Sequence, residues 1–223
     1  MTMLETPTDT KVISLPAQAL ATALAATDCT RGTDTTRLAL SGWLVRVTEQ
    51  DPHTLTVMSC DSWAGTRATI RLADPVEPLE ILIGGADYPN KPTKLSTLGC
   101  LKSVKDPKAL LRVSIGRAAV GLTAQDGTVN ELTLSGHQFP TFEKILDGTA
   151  RVIDGQEFPT FNPAYIDCAA RSQAAVRRAT GEKLLEAHIT FQALSRLKPA
   201  VMVWHSNELK LSVDHLVMPV RVS

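Results

Sequence analysis

An α+β fold built from three copies of one unit, each a strand, a helix and then three strands, is what this sequence predicts. Three observations lead there. Between Phe161 and Val222 a capped helix precedes three alternating strand-like runs. The same order of elements begins at Lys11 and again at Leu79. The copies, each roughly 65 to 75 residues long, share element order rather than sequence, as a weak internal repeat does. The expected boundaries are a polar arm over 1–10, a two-unit domain over 11–146 (units 11–74 and 75–146), and a half-domain over 147–223.

The first unit opens with a strand from Lys11. Ser14-Leu15-Pro16 reads as a helix entry, and Leu20, Leu24 and the alanines between them form a narrow apolar stripe. Thr30–Thr36 is a polar loop, and Arg37–Val45 reads as a strand with a bend at Gly42. Leu55–Met58 and Ala68–Leu72 continue the sheet. After the break at Pro75–Pro78, Leu79–Ile83 starts the second unit, and Pro89-Asn90-Lys91-Pro92 opens a helix expected to reach Val104. Strands follow at Leu110–Ile115, Ala118–Thr123 and Val129–Leu134, with Asp126-Gly127 as a hairpin turn. In the third unit, Asn162 caps a helix and Pro163 takes its first position, where no intrahelical partner awaits the missing N–H. That helix stops at Gly181. Strands come next at Leu185–Phe191, Val201–His205 and Leu209–Val213, before the tail Leu216-Val217-Met218-Pro219-Val220-Arg221.

Composition narrows the function. Twenty-three basic and 23 acidic residues cancel, which argues against a protein that coats nucleic acid with its whole surface. Basic residues gathered on one face remain compatible with that balance. No apolar run approaches the ~18 residues of a membrane span, and Met1–Lys11 has no secretory-signal pattern. The four cysteines, Cys29, Cys60, Cys100 and Cys168, lack a C-x-x-C pair, so reduced thiols in a cytoplasmic protein are expected. Glu186 with His188 and Cys60 with Asp61 are the only pairs resembling catalytic ones, and neither has a third group at a usable spacing. There is no phosphate loop, nucleophile elbow or zinc-ligand pattern. A non-enzymatic protein without cofactor or metal is expected.

The order of elements from Phe161 and the Val-Met-Pro-Val-Arg tail resemble the C-terminal half-domain of the bacterial DNA polymerase III β sliding clamp. Arg37–Gly42, Thr56-Val57, Cys60-Asp61, Leu111–Gly116 and Phe139–Ile145 follow the strand pattern and close of the clamp's middle domain. Two departures stand out. Asp61-Ser62-Trp63-Ala64-Gly65-Thr66-Arg67 replaces a shorter Asp-Gly-His-Arg-Leu stretch. The chain also lacks counterparts of the first clamp domain and the front half of the last.

The resemblance implies a peptide-binding groove. Its walls would be Leu40 on a strand, Pro140, Lys144 and Ile145 on the connector, Asn162 and Tyr165 at the helix start, and Val217, Met218, Pro219, Val220 and Arg221 on the tail. Met and Val suit an adaptable apolar floor, with Tyr165 and Arg221 giving direction at the rim. By pattern alone, Leu216–Val220 also reads as an edge strand in the core. A DNA-facing role draws on Arg171, Arg177 and Arg178 in the third helix, and on Lys91, Lys94, Lys102 and Lys105 in the second. At about 100° per residue, Tyr165, Ile166, Ala169 and Val176 share one helix face, with Arg171, Arg178, Ala164 and Ala175 opposite. The first helix has no Lys or Arg between Pro16 and Cys29.

In function, the resemblance implies a clamp that surrounds nonspecific duplex DNA and tethers a DNA polymerase and clamp loader by short peptide motifs. Twelve modules close the family's ring, so four chains of three modules would complete it as a head-to-tail homotetramer, if the interface rotation closes. The half-domain would then pair across subunits. The alternative is a clamp mimic, a decoy or inhibitor that keeps the groove without encircling DNA. A remnant structural subunit of a larger complex is a third reading.

Overall fold

The first strand, β1 (Lys11–Pro16), turns at Pro16 directly into α1 (Ala17–Thr27). Pro16 offers no capping side chain, so a tertiary contact serves one of the helix's orphan donors: Ala17 N–H donates to the Ala109 carbonyl at 2.9 Å. The structure, a computed structural model, describes residues 10–34, 36–86, 91–102, 104, 106, 108–141, 161–182, 187–191 and 199–219.

Among these residues, the further strands are β2 (Trp43–Val47), β3 (Thr54–Cys60), β4 (Ala64–Arg71), β5 (Leu79–Ile83), β6 (Leu110–Ile115), β7 (Ala119–Thr123) and β8 (Val129–Ser135). Three more follow the long helix: β9 (Ala187–Phe191), β10 (Ala200–Ser206) and β11 (Leu211–Val217). They form one antiparallel sheet in the order β1-β6-β7-β8-β5-β2-β3-β4-β11-β10-β9. Two pairings knit distant sequence together. β1 lies against β6, with Ile13 opposite Val113, while β5 lies against β2, with Ile81 opposite Val45. The 11–74 and 75–146 segments have thus exchanged their first strands, and neither can leave without breaking both ladders. β4 then carries β11 along its free edge, from Ile70 opposite Leu211 to Ala64 opposite Val217.

Strand alternation divides the apolar residues between two faces. Trp43, Val45 and Val47 on β2, Leu55 and Val57 on β3, and Ala68 and Ile70 on β4 join the main core with the helices. Leu44, Met58 and Cys60 point the other way and form a second cluster with Leu82, Val201 and Leu216. One face of the sheet therefore carries the helices, and the other has a small apolar patch of its own.

α1 lies antiparallel to α3 (Pro163–Thr180). Gln18 Nε2 near the start of α1 donates to the Ala179 carbonyl at 2.7 Å, and Cys29 just past its end is joined to Cys168 by a disulfide. Small residues make the close approach possible: Ala19, Ala23 and Ala26 are buried on α1, as are Cys168, Ala169, Ser172 and Ala175 on α3. α1 is covered on more sides than a narrow stripe implies, since Ala17, Thr22 and Thr27 are buried as well. A Lys or Arg on those positions would have lost its water, which accounts for their absence.

Several expectations are corrected. No helix spans 89–104 among the described residues, only a 3-10 turn at Leu95–Thr97 and the single-turn α2 (Gly99–Lys102). Pro92 and Gly99 are poor interior helix residues, and Leu98 leaves helical geometry between the two turns. The run 37–45 is a 3-10 turn at Leu38–Leu40 followed by β2, so Leu40 sits on a turn rather than a strand. Leu216 and Val217 belong to β11 rather than to a separate tail. On α3, Ala175 is buried while Ile166 is 42% exposed, because the face is set by packing on α1 as well as on the sheet. Cys29 and Cys168 are paired rather than free, since the antiparallel helices bring together thiols 139 residues apart. Cys60 and Cys100 are buried and belong to no disulfide. Within the chain, the third unit joins the rest through β4–β11 and α1–α3.

Gly84, at φ +67°, closes the turn after β5, and a Cβ there would lie 2.8 Å from the Trp43 ring. Gly84→Ala is expected to lower stability by about 2–3 kcal/mol, from backbone strain plus displacement of a buried indole. Gly127→Ala, at φ +84° with open space around it, is expected to cost about 1 kcal/mol. Urea denaturation midpoints of the two variants check the order.

Candidate docking groove and cationic face

The tight β3–β4 hairpin builds the first wall of the groove. Cys60 pairs with Gly65 across it, and the Asp61 carboxylate accepts from the backbone N–H groups of Trp63 and Ala64, both at 2.9 Å. That Asx-type closure places Ser62 at φ +105° and turns the Trp63 indole outward, 60% exposed. Arg37 Nη1 donates to the Ser62 hydroxyl and ties the 3-10 turn bearing Leu40 to the hairpin. On the far side, Met218 N–H donates to the Trp63 carbonyl at 2.8 Å, extending the β4–β11 ladder one step beyond Val217.

Between these walls lies a cavity of about 360 Å³ lined by Leu40, Cys60, Trp63, Pro140, Leu216 and Met218, among others. Its floor is the second apolar cluster, against which Leu40, Phe139 and Met218 pack. The cavity thus unites Leu40, Pro140 and Met218, which lie far apart in the chain. Asn162, Tyr165, Val217 and Pro219 do not line it. Val217 is fully buried, Asn162 accepts from Ala164 N–H as the α3 cap, and the Tyr165 carbonyl meets His215 Nε2. Burial, and then the Asp61 carboxylate, push the Tyr165 hydroxyl's pKa upward. Lys144, Ile145, Val220 and Arg221 lie outside the described residues.

Sequence reasoning missed Cys60, Ser62, Trp63, Ala64, Gly65, Thr141 and Leu216 as lining residues. The available signal was the departure at 61–67, where a tryptophan sits in a turn. Cys60 is no nucleophile: burial, then Asp61, push its thiol up to about 12. Glu186 lies outside the described residues, as does the side chain of His188.

A buried polar chain links the groove's hairpin to the helices. The Ser59 hydroxyl donates to the Thr27 carbonyl, and Thr30 Oγ1 lies 2.6 Å from Ser59 Oγ and 3.0 Å from Thr66 Oγ1. Thr66 Oγ1 meets His215 Nδ1 at 2.8 Å, and His215 Nε2 meets the Tyr165 carbonyl at 3.2 Å. A carbonyl only accepts, so Nε2 carries the hydrogen and Nδ1 accepts from Thr66. Burial pushes the His215 imidazole down to about 4, against the opposing pull of the Tyr165 carbonyl, so the ring is neutral at pH 7.

The opposite, helix-bearing face presents the cations. Arg171, Arg177 and Arg178 are exposed on α3, with Arg171 paired to Asp167 at 3.0 Å. Lys94 and Lys102 border a cavity of about 590 Å³ beside α1, together with the Asp28–Arg31 ion pair. Lys91 is exposed, and Lys105 lies outside the described residues. Cations therefore flank the uncharged α1 on both sides. No helix among the described residues is long and apolar enough to cross a membrane.

No family model and no curated relative matches the chain by sequence. Solved structures do match. The whole chain aligns with 69% of the DNA polymerase sliding clamp from Pseudomonas aeruginosa, at 13% identity and a TM-score of 0.68. It also aligns with 67% of the sliding clamp from Bacillus subtilis, at 15% identity and a TM-score of 0.67. The DNA polymerase III beta subunit from Thermotoga maritima matches over 68% of its length, at 12% identity and a TM-score of 0.65. The fold is clamp-like.

Because His215 is held neutral, the unfolded chain binds its proton more readily than the folded one between about pH 4 and pH 6.5. The stability His215 confers is present above pH 6.5 and is lost as pH falls toward 4, by about 3 kcal/mol at the lower end. His215→Gln, which can keep both hydrogen bonds, is expected to flatten that limb by about one proton. Urea titrations at a series of pH values measure it.

Proposed function

We propose that this chain is a sliding clamp, a processivity factor that surrounds duplex DNA and holds replication proteins in the groove between the β3–β4 hairpin and Met218. The single observation that carries the reading is the division of one sheet into two working faces. An apolar cavity holding Leu40, Pro140 and Met218 opens on one face, and exposed arginines and lysines stand over the helices on the other. The clamp-like fold of the solved structures supports it.

The mechanism is tethering. Arg171, Arg177 and Arg178, with Lys91, Lys94, Lys102 and Lys105, contact phosphates without reading bases, so the ring slides. A polymerase or loader segment docks in the cavity and gains a high local concentration on the template. We assign residues 11–146 to a full clamp-like domain and 147–223 to a half-domain. Three modules per chain then lead to a closed head-to-tail tetramer. Trp63 replaces the family's shorter loop with an exposed indole, an anchor for an apolar side chain of the docked peptide.

Light scattering coupled to size exclusion is expected to give the mass of a closed oligomer, and a monomer that still binds clamp-motif peptides would point to the decoy instead. Trp63→Ala is expected to weaken a fluorescent peptide copying a bacterial replicative polymerase's clamp-binding segment about tenfold or more, read by anisotropy. Reversing Arg177 and Arg178 together to Glu should weaken duplex DNA binding uniformly across sequences and reduce the log–log salt slope by about two.

A further inference from the structure

The disulfide and the polar chain beside it meet at one place, the N-terminal half of α3. Cys168 faces Cys29 across the α1–α3 contact, and three residues earlier the Tyr165 carbonyl receives His215. His215 in turn holds Thr66, the residue after Gly65 in the groove wall. The position of this end of α3 is therefore shared between a covalent link and the hairpin that displays Trp63.

We propose that Cys29 and Cys168 form a reversible redox pair that locks α3 to the end of α1 when oxidised and releases it when reduced. The site accommodates both states. Cys29 Sγ lies 3.1 Å from the Cys168 carbonyl, so a reduced Cys29 thiol has an acceptor waiting. Cys29 is half-buried and approachable from solvent, whereas Cys168 is 2% exposed, which sets the order of attack.

The oxidant is a low-molecular-weight disulfide such as oxidised glutathione. The Cys29 thiolate attacks one of its sulfurs, its S–S bond breaks, and the departing thiolate takes up a proton as the first glutathione. The Cys168 thiolate then attacks Cys29 Sγ in the mixed disulfide and expels the second glutathione. Two electrons pass to the oxidant, and the two thiol protons end on the two glutathione molecules. Reduction by a dithiol runs the sequence backwards.

Cys29 Sγ, Cys168 Sγ and a His215 ring nitrogen also lie within 4.8 Å of one another, a donor set that would suit a thiophilic metal. The protein already occupies both ring nitrogens, one as donor to Tyr165 and one as acceptor from Thr66. The redox reading leaves those bonds intact, and metal ligation would break one of them.

The test treats the whole protein with dithiothreitol or with excess oxidised glutathione, maps cysteines by alkylation and mass spectrometry, and follows amide hydrogen exchange. Oxidation is expected to remove two alkylatable thiols and yield a Cys29–Cys168 cross-linked peptide, reversibly. Exchange across 168–178 should be about tenfold slower in the oxidised form, with β1 and β6 unchanged. Cys29→Ser, whose hydroxyl can keep the bond to the Cys168 carbonyl, should match the reduced form under both treatments. The proposal is overturned by four alkylatable thiols after oxidation, by a different pairing, or by α3 exchange indifferent to the bond. One zinc ion per chain that co-purifies and shields both thiols would overturn it too, in favour of a metal centre. The consequence for the groove rests on the sliding-clamp reading, but thiol mapping and exchange do not, so each can fail without the other.

Discussion

Burial of α1 is the constraint on which the rest of the architecture depends. Its leucines and alanines lie against the inner face of the sheet, where Trp43, Leu55, Val57 and Ile70 are almost wholly out of water. A helix of small residues also lets a second helix approach closely, and α3 uses that room with Cys168, Ala169, Ser172 and Ala175. Gln18 to Ala179 at one end and Cys29 to Cys168 at the other fix the antiparallel alignment. With α3 so placed, β11 reaches the free edge of β4, and β10 and β9 continue the same sheet beyond it.

The same alignment creates the groove on the far side. Leu216 faces the second cluster only because β11 is in register with β4; its neighbour His215 and, two residues before that, Val213 face inward. A slip of one residue would exchange those faces and put an imidazole in the cavity and a leucine under α3. Buried hydrogen bonds guard against the slip. Thr66 and His215 are directly opposite across the ladder and bonded to each other, while Arg67 and Asp214, the next pair, form an ion pair at 2.8 Å on the other face. Polar specificity on both faces holds the register that apolar packing alone would define less sharply.

Charge is partitioned by the same geometry. α1 is neutral because it is enclosed, so cations appear where the helix layer meets solvent, on the outer face of α3 and around α2. Arg31 is the exception and shows what a buried cation requires here. It pairs with Asp28 at 3.0 Å, donates to the Ser41 and Gly84 carbonyls, and stacks on the Trp43 ring at 3.8 Å. That guanidinium is structural, a staple between the end of α1, the turn before β2 and the turn after β5.

Local chemistry was legible in the residues themselves. Asn162-Pro163 and Gly181 bound α3 because capping depends on atoms within a turn or two, and Asp126-Gly127 makes its hairpin for the same reason. The alternating runs marked nearly every strand, and the element order carried the clamp resemblance. Only the folded chain decided which strands pair, that 11–74 and 75–146 exchange their first strands, and that Cys29 meets Cys168 across 139 residues. It also reduced the second helix to one turn and turned Trp63 into the groove wall. These outcomes come from competition between distant surfaces for burial and ladder partners, which no window of neighbouring residues contains.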